Sequence, residues 1–347
     1  PNLFDELGGE VVQSTSFIIT NQIPTAKSNC SYFRLVDGIN CADKEQMFLS
    51  GEKKFENIKQ NSFSDISDSP IVYWISNTLR KSFSNTKLSS VIPVKKGMDT
   101  GENSSYLRLW FEPSYKKVGY YQTSESFCQN GFKWAPYNKG GKPQRRWYGK
   151  NSNVVLWEKD GEALRASTAN LRSQYLYFKN AITWNALATT TTTARYSDYG
   201  ALFDSAGSSM FPSAQDMKYI LGFMNSKCVA NLLYILNPSM NFGAGTVGSL
   251  PIIQDPSSRI DELVEDNIKI AKEDWGNAEE NVDFTENPLV RIFKNKSNIR
   301  LGSVVEEYIT IWQKNIEKLK SNEEELNRMF ISIYGLQDEL TPDVPLN

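Results

Sequence analysis

The stretch GFKWAPYNKGGKPQRRWYGK, residues 131 to 150, interleaves basic side chains with tryptophan and tyrosine and contains no acidic residue. The basic residues are Lys133, Lys139, Lys142, Arg145, Arg146 and Lys150, and the aromatic ones are Trp134, Tyr137, Trp147 and Tyr148. Lysine and arginine bind phosphates, arginine also bonds to the edge of guanine, and aromatic rings stack on unpaired bases. The composition is therefore typical of a segment that binds a polyanion carrying flat bases.

The Gly140-Gly141 pair and Pro143 predict that this segment contains a surface turn, because glycine and proline suit turn conformations. Loops on a rigid scaffold commonly carry binding residues. The same composition also fits a solvated basic loop whose aromatic rings only anchor it to the core. Both interpretations stay open on the residues alone.

The composition predicts a folded globular protein with two parts of different character. The 347 residues are 40% hydrophobic and 22% charged, enough for one large or two ordinary cores. The net charge of −2 hides an asymmetry: residues 255 to 347 contain 11 basic and 20 acidic side chains, and residues 1 to 254 contain 27 and 20. We therefore expect one domain over residues 1 to 254 and a separate region with another role over residues 255 to 347.

The chain lacks the residues of several common functional sites. The four cysteines form no CxxC pair and there is no histidine, which excludes the usual structural zinc sites and histidine-based catalysis. We find no signal peptide and no apolar run long enough to span a bilayer, so we expect no membrane contact and a reducing, cytoplasmic location. The chain begins at Pro1 without a methionine, and we expect it to be a segment of a longer protein.

Hydrophobic periodicity predicts short strands mixed with helices, followed by a helical region. Strands are predicted at residues 11 to 20, 32 to 36, 91 to 95, 106 to 111, 154 to 157 and 201 to 204. Helices are predicted at residues 43 to 60, with an interruption at Gly51, and at residues 72 to 83. An almost wholly apolar stretch, residues 217 to 236, predicts a buried helix. After Pro256 the pattern is helical, beginning with a capping box formed by Ser258 and Asp261. The fold class is therefore α+β, with a mixed-strand domain before a coiled-coil-like helical region.

The last helix carries an apolar repeat of alternating four- and three-residue steps. The repeat consists of Val305, Ile309, Trp312, Ile316, Leu319, Leu326, Phe330 and Ile333, with Glu323 at the one missing position. A period of 3.5 residues favours coiled-coil-like packing on a neighbouring helix, and ordinary amphipathic packing remains an alternative. We expect this seam to pack on the helix of residues 258 to 275 or on a part of the protein that precedes this chain.

No complete catalytic constellation is present in the sequence. There is no Pro-Pro pair, so the Asn-Pro-Pro-Tyr or Asp-Pro-Pro-Tyr loop of amino-group DNA methyltransferases is missing. The glycine run NFGAGTVG, residues 241 to 248, lacks the preceding strand that a nucleotide-binding loop requires, and we interpret it as a structural turn. A Walker sequence and a Gly-x-Ser-x-Gly sequence are also missing. The residues therefore indicate a binding protein rather than a catalyst.

Several segments together resemble one known family. They are VVQSTSFII (11 to 19), YFRLVD (32 to 37), SPIVYWIS (69 to 76), GMDTGENSSYLRLWFE (97 to 112), KWAPYNKGGKPQRRWYGKNSNVVLWEKDG (133 to 161), ITWN (182 to 185), FDSAGSSMFP (203 to 212), residues 220 to 253 and YGLQDELTP (334 to 342). On these segments the chain resembles the carboxy-terminal part of the PglX family, the adenine-specific DNA methyltransferases of BREX phage-defence systems.

The resemblance implies a DNA target-recognition domain over residues 1 to 254 and a helical spacer or docking region over residues 255 to 347. An upstream methyltransferase domain of the same parent chain would bind S-adenosylmethionine and methylate one flipped adenine at N6. The family's cofactor and catalytic motifs are absent here, so we expect no catalytic, cofactor or metal residue in this segment. Its expected partners are double-stranded DNA, the upstream domain and other BREX proteins.

Two groups of residues are expected to contact DNA. The first is Lys133, Trp134, Tyr137, Lys139, Lys142, Arg145, Arg146, Trp147 and Tyr148, with the aromatic members stacking or shaping the loop. The second, in a turn bounded by two glycines, is Lys95, Lys96, Thr100 and Asn103. Two alternatives stay open: a non-catalytic docking module that uses the acidic helical end, and, more remotely, an aromatic-lined carbohydrate-binding module.

Overall fold

Two units, Pro1–Ser84 and Asn85–Asn347, make up the chain. The structure, a computed structural model, describes residues 15 to 23, 25, 28 to 141, 145 to 149, 152 to 187, 193 to 239, 241 to 294 and 300 to 345. The functional division that the sequence predicts at residue 254 stays a prediction.

In its described residues the smaller unit contains a two-stranded antiparallel sheet and two α-helices. Strands β1 (Cys30–Phe33) and β2 (Lys54–Ile58) pair antiparallel on either side of helix α1 (Cys41–Ser50), and α2 (Asn77–Ser82) follows. The Asn40 side chain accepts from Asp43 N at the start of α1, and Gly51 ends the helix in the left-handed region at φ 69°. The glycine therefore stops the helix, and a strand follows it where the sequence predicts more helix.

The larger unit contains two mixed sheets of short strands. Its strands are β3 (Val94–Lys95), β4 (Leu107–Leu109), β5 (Trp134–Asn138), β6 (Trp147–Tyr148), β7 (Asn153–Leu156), β8 (Ala181–Thr183), β9 (Arg195–Ser197), β10 (Leu202–Phe203) and β11 (Ser209–Met210). One sheet has the order β10-β5-β7-β4 and the other the order β3-β11-β8-β9-β6. Strand β5 pairs parallel with β10 and antiparallel with β7. The chain passes between the two sheets several times, so residues far apart in sequence meet at their edges.

Ten α-helices belong to the described part of this unit, and the long ones follow residue 215. They are α3 (Leu88–Val91), α4 (Asn103–Tyr106), α5 (Ser124–Gln129), α6 (Glu158–Arg165), α7 (Met217–Met224), α8 (Lys227–Leu236), α9 (Ala244–Gly248), α10 (Ser258–Gly276), α11 (Pro288–Lys294) and α12 (Leu301–Tyr334). The strands and helices together confirm the predicted α+β class. The N-cap of α10 is Ser257 rather than Ser258, and its side chain accepts from Arg259 N.

The apolar stretch at residues 217 to 236 is buried, as the sequence predicts, but it forms two helices rather than one. Helix α7 ends at Met224 with Asn225 as its C-cap, and the Ser226 side chain caps α8 by accepting from Val229 N. The two helix axes are bent by 66°. Among the described residues no single helix is long and apolar enough to cross a membrane, although α7 and α8 taken together reach that length and apolarity.

Helix α12 is buried along its second half and exposed along much of its first half. Leu326 and Phe330 are buried, with Phe330 against the rings of Tyr219 and Phe223 on α7, and α12 packs on α10 as the sequence predicts for residues 258 to 275. Ile309 and Ile316, on the same predicted seam, are about half exposed. The heptad pattern therefore describes a buried seam over part of the helix only.

Replacing Leu326 by Asp should lower the free energy of unfolding by several kcal/mol, because the change removes apolar contact and buries a charge at a side chain that is 2% exposed. Ile316→Asp is the matched control, since Ile316 is 51% exposed, and it should cost less than about 0.5 kcal/mol. Chemical denaturation measures both. Equal losses for the two variants would contradict the assignment of buried and exposed halves.

Candidate nucleic-acid interface

The basic and aromatic segment predicted to contact nucleic acid forms two strands in different sheets. Trp134 and Tyr137 lie on β5, and Trp147 and Tyr148 lie on β6. Gly140 and Gly141 follow β5, as the turn prediction requires, and Lys142 lies outside the described residues. The segment is thus a link between the two sheets as well as a loop.

The four aromatic side chains are buried in the protein core. The Tyr137 hydroxyl donates to Met98 O at 3.4 Å, and Trp147 Nε1 donates to Glu323 Oε1 at 2.6 Å. The Tyr148 hydroxyl donates to Asp283 Oδ2 at 3.3 Å, and burial together with the nearby carboxylate raises the pKa of Tyr148. In this structure the rings anchor the segment to the core, as the alternative interpretation of the sequence holds. They could stack on bases only if the segment opened.

The two arginines of the segment are paired with carboxylates of the helical region. Arg145 Nη1 donates to Asp274 Oδ2 at 2.8 Å, and its guanidinium lies 5.0 Å from the ring centroid of Trp275. Arg146 Nη1 donates to Glu323 Oε2 at 2.8 Å. We call Asp274, Asp283 and Glu323 the carboxylate clamp, because each accepts a hydrogen bond from residues 145 to 148 and holds them on the acidic part of the chain.

Asn225, at the bend between α7 and α8, extends this contact. Its Oδ1 accepts from Ala194 N at 3.1 Å, and its Nδ2 donates to Ala194 O at 3.0 Å, so the amide pairs with the backbone as a neighbouring strand would. Its Oδ1 and carbonyl oxygen also accept from Arg146. The arginine is therefore held by the clamp and by the helix bend together.

The second predicted group divides into exposed and buried members. Lys95 and Lys96 are exposed, and within the described part of the chain neither has a carboxylate within ion-pair distance. Asn103 is exposed at the start of α4, whereas Thr100 is buried and donates its hydroxyl hydrogen to Asn103 Oδ1 at 2.7 Å. Thr100 thus orients the Asn103 amide.

The turn that follows β10 brings the two predicted groups together. Gly97 N donates to Asp204 O at 3.2 Å, and on the other side Gly140 N donates to Asp204 Oδ1 at 3.3 Å. Lys139 Nζ lies 3.5 Å from Asp204 Oδ2. Lys95, on β3, pairs with Ser209 just beyond the turn. Lys95, Lys96 and Lys139 therefore flank one short segment, residues 203 to 209.

Glycine is required where the segment after β5 crosses this turn. A Cβ on Gly140 would lie 2.3 Å from Ala206 C, and one on Gly207 would lie 2.6 Å from Asn138 O. Both distances are shorter than any real Cβ contact, so the two backbones can approach this closely only without side chains. The placement of Lys139 depends on this contact.

Sequence reasoning missed two polar networks at this site. Arg172 and Ser205 both donate to the Asp99 carboxylate; although burial raises the pKa of Asp99, these hydrogen bonds outweigh it and the pKa lies below its usual value. No spacing in the sequence links these three residues. The second network is centred on Glu323. Its charge within the apolar repeat of the last helix could have indicated a buried hydrogen-bond acceptor.

Comparisons with known proteins find two adenine-specific methyltransferases that are similar to this chain. The chain is 36% identical over 98% of its length to the adenine-specific methyltransferase PglX of Lacticaseibacillus casei (strain Zhang), and 32% identical over 99% to the adenine-specific methyltransferase BrxX of Escherichia coli O9:H4 (strain HS). It spans 30% and 27% of these two proteins. No protein-family model matches the chain.

The resemblance to the PglX family is therefore confirmed over nearly the whole chain. The chain spans less than a third of the length of these relatives, which is consistent with the predicted carboxy-terminal part.

Replacing Glu323 by Gln should lower the free energy of unfolding by roughly 2 kcal/mol, because the Arg146 guanidinium loses its charged acceptor in a largely buried position. Glu262→Gln is the matched control, since its ion pair with Arg259 lies on the exposed face of α10. That change should cost less than about 0.5 kcal/mol. Denaturant titration compares the two, and an unaffected Glu323→Gln variant would contradict the clamp.

Proposed function

We propose that this chain is the DNA target-recognition segment of a site-specific adenine-N6 DNA methyltransferase of a BREX phage-defence system. The observation that carries the proposal is its match, over nearly its whole length, to less than a third of two adenine-specific methyltransferases. In this proposal an upstream domain of the parent chain binds S-adenosylmethionine and performs catalysis. The segment itself holds no cofactor, metal or catalytic residue, and it works in the cytoplasm with the DNA that the parent modifies.

A recognition segment suits this chemistry for a physical reason. The N6 amino group of adenine lies inside the base stack, so the base must leave the helix before methyl transfer. Unpairing and unstacking cost a few kcal/mol, and contacts elsewhere on the duplex must offset that cost. A segment that grips the backbone and reads base edges supplies such contacts.

The lysines around the turn at residues 203 to 209 are the first candidates for phosphate contact. Lys95 and Lys96 are exposed and have no ion-pair partner among the described residues, so a phosphate would displace no protein carboxylate. Lys139 would exchange Asp204 for a phosphate. Asn103, oriented by Thr100, can present its amide to a base edge.

Arg145 and Arg146 are candidates of a second kind, because each is ion-paired with a carboxylate of the protein. A phosphate would have to compete with Asp274 and Glu323 for these guanidinium groups. Lys133, 3.9 Å from Glu158, and Lys142 complete the proposed basic set. The four buried aromatic rings hold the segment that carries most of these basic residues.

A docking function for other BREX proteins is the second candidate, and one observation favours it. The first half of α12 leaves Leu301, Ile309 and Ile316 exposed, and α11 next to it leaves Val290 and Phe293 exposed. An exposed apolar strip in a net acidic region is typical of a protein contact rather than a phosphate contact.

Replacing Lys95 and Lys96 together by Ala should weaken binding to any duplex and reduce the slope of log affinity against log salt by about two, since each phosphate contact contributes about 0.9. Fluorescence anisotropy with a labelled duplex at several salt concentrations measures the slope. Lys269→Ala with Lys314→Ala is the control, because both lysines are exposed and lie on α10 and α12 rather than beside the turn at residues 203 to 209. An unchanged slope in the Lys95 and Lys96 variant would refute the assignment of these lysines.

The isolated chain should give no heat on titration with S-adenosylmethionine, whereas deletion of this segment from the full-length parent should abolish site-specific methylation. Calorimetry tests the first expectation and methylation-sensitive sequencing of a host carrying the deletion tests the second. Sequence-specific methylation that survives the deletion would show that target recognition resides elsewhere. Loss of methylation with intact DNA binding by the deleted parent would favour the docking function instead.

A further inference from the structure

The segment that contains Arg172 pairs with the turn that follows β3. Asp99 N donates to Asn170 O at 3.0 Å and Asn170 N donates to Asp99 O at 2.8 Å, as in a short antiparallel ladder. The Ser173 hydroxyl donates to Lys96 O at 3.1 Å. Arg172, between these two contacts, therefore lies beside the lysines proposed to contact phosphates.

The Arg172 guanidinium is held by the protein at one nitrogen atom only. Its Nη1 donates to Asp99 Oδ2, and no described residue accepts a hydrogen bond from its Nε or Nη2. The side chain is 40% exposed, while the buried Tyr177 fixes the backbone by donating its hydroxyl hydrogen to Arg172 O at 2.8 Å. Arg146, by contrast, donates from Nε, Nη1 and Nη2 to acceptors of the protein. Arg172 therefore keeps donors for a ligand.

The Asp99 carboxylate that holds Arg172 is itself fixed. Its Oδ2 accepts from Arg172, and its Oδ1 accepts from the Ser205 hydroxyl. Burial raises the pKa of Asp99, but the two hydrogen bonds and the charges of Arg172 and Lys96 lower it further, so the carboxylate stays charged at neutral pH. An exposed ion pair adds little stability, yet it restricts the directions that the guanidinium can take. Asp99 thus orients Arg172 before a ligand binds.

A guanidinium held in this way suits the edge of guanine better than a phosphate. Arginine forms two parallel hydrogen bonds to guanine O6 and N7, and donors that are already oriented lose less conformational entropy on binding. The guanine edge is neutral, whereas a phosphate would be repelled by the Asp99 carboxylate next to Arg172. Lys95 and Lys96 are exposed nearby and have no ion-pair partner among the described residues, so phosphates meet no such repulsion there.

We propose that Arg172 contacts O6 and N7 of one guanine in the recognised DNA sequence, with Asp99 as the residue that positions it. Lys95 and Lys96 hold the neighbouring phosphates, and O6 and N7 place the contact in the major groove. The inference rests on the proposed DNA-recognition function, and it adds which residue selects a base and which base it selects.

The test uses the full-length parent protein and the sequence that methylation-sensitive sequencing finds for it. Labelled duplexes carry that sequence with one guanine at a time replaced by 7-deazaguanine, which has no N7 acceptor, and fluorescence anisotropy measures their affinity. The wild-type protein should bind one of these duplexes roughly 10-fold more weakly than the unmodified duplex. The Arg172→Ala variant should bind the two equally, and its methylated sequence should accept any base pair at that position.

Further variants separate base contact from charge and from folding. Arg172→Lys keeps the positive charge but cannot form two parallel hydrogen bonds, so it should also fail to distinguish the two duplexes. Asp99→Asn should reduce the difference to roughly 3-fold, the scale of an exposed ion pair, whereas a merely structural role would leave the ratio unchanged. Arg259→Ala is the matched control, because Arg259 is also exposed and ion-paired, with Glu325 on α12, and it should keep the wild-type difference.

Three results would overturn the inference and leave the proposed function standing. They are equal affinity of the wild-type protein for every 7-deazaguanine duplex and the unmodified one, a recognised sequence without a G·C pair, and an Arg172→Ala variant that loses affinity for both duplexes by the same factor. Sequence-specific methylation by a parent protein that lacks the whole segment would refute the proposed function and the inference together.

Discussion

The buried carboxylate of Glu323 is the contact on which the larger unit depends. A carboxylate removed from water is unfavourable unless donors surround it, and here Trp147 Nε1 and the Arg146 guanidinium supply them. The donors come from β6, the edge strand of one sheet, and from the residue before it, and the acceptor comes from a helix about 175 residues later in the chain. Neither partner is satisfied alone, so the sheet edge and the last helix stabilise each other. Hydrogen bonds of this kind also fix direction, since Nε1 and the guanidinium can meet the two carboxylate oxygens in one arrangement only.

This contact changes the meaning of the charge asymmetry in the sequence. A positive part and a negative part of one chain suggest two surfaces with different partners. However, several of these opposite charges form ion pairs with each other. Arg145 with Asp274, Arg146 with Glu323, and Lys218 with Glu265 all join residues before position 254 to residues after it. The arginines therefore cannot be counted as free positive charge, whereas Lys95 and Lys96 form no ion pair within the described part of the chain. For the proposed DNA binding this distinction matters, because only cations that release counterions on binding contribute to the salt dependence of the affinity.

The sequence predicted those helices and strands whose formation depends mainly on interactions between neighbouring residues. The strands at β4, β7 and β10, the burial of residues 217 to 236 and the long last helix all follow from periodicity and β-branched content. The bend at Ser226 was readable in principle, because Asn225-Ser226 is a capping signal inside an apolar run. The burial of Trp147 and Tyr148 was not, because their partners lie more than 130 residues away and no spacing links them. Aromatic residues among basic ones look alike in a sequence whether they face a base or a core.

The amide of Asn225 has a consequence for the chemical ageing of the protein. Asn225 is followed by Ser226, a small residue. The Asn225 side-chain amide is therefore accessible to deamidation whenever the bend between α7 and α8 opens. Conversion to aspartate would set a carboxylate oxygen against Ala194 O, so that two acceptors face each other where a donor and an acceptor now meet. The same new charge would hold Arg146 more tightly at Asn225 Oδ1. Hydrolysis of this one amide would thus weaken the hydrogen bonding at the edge of the sheet. It would also make Arg146 less available to a phosphate.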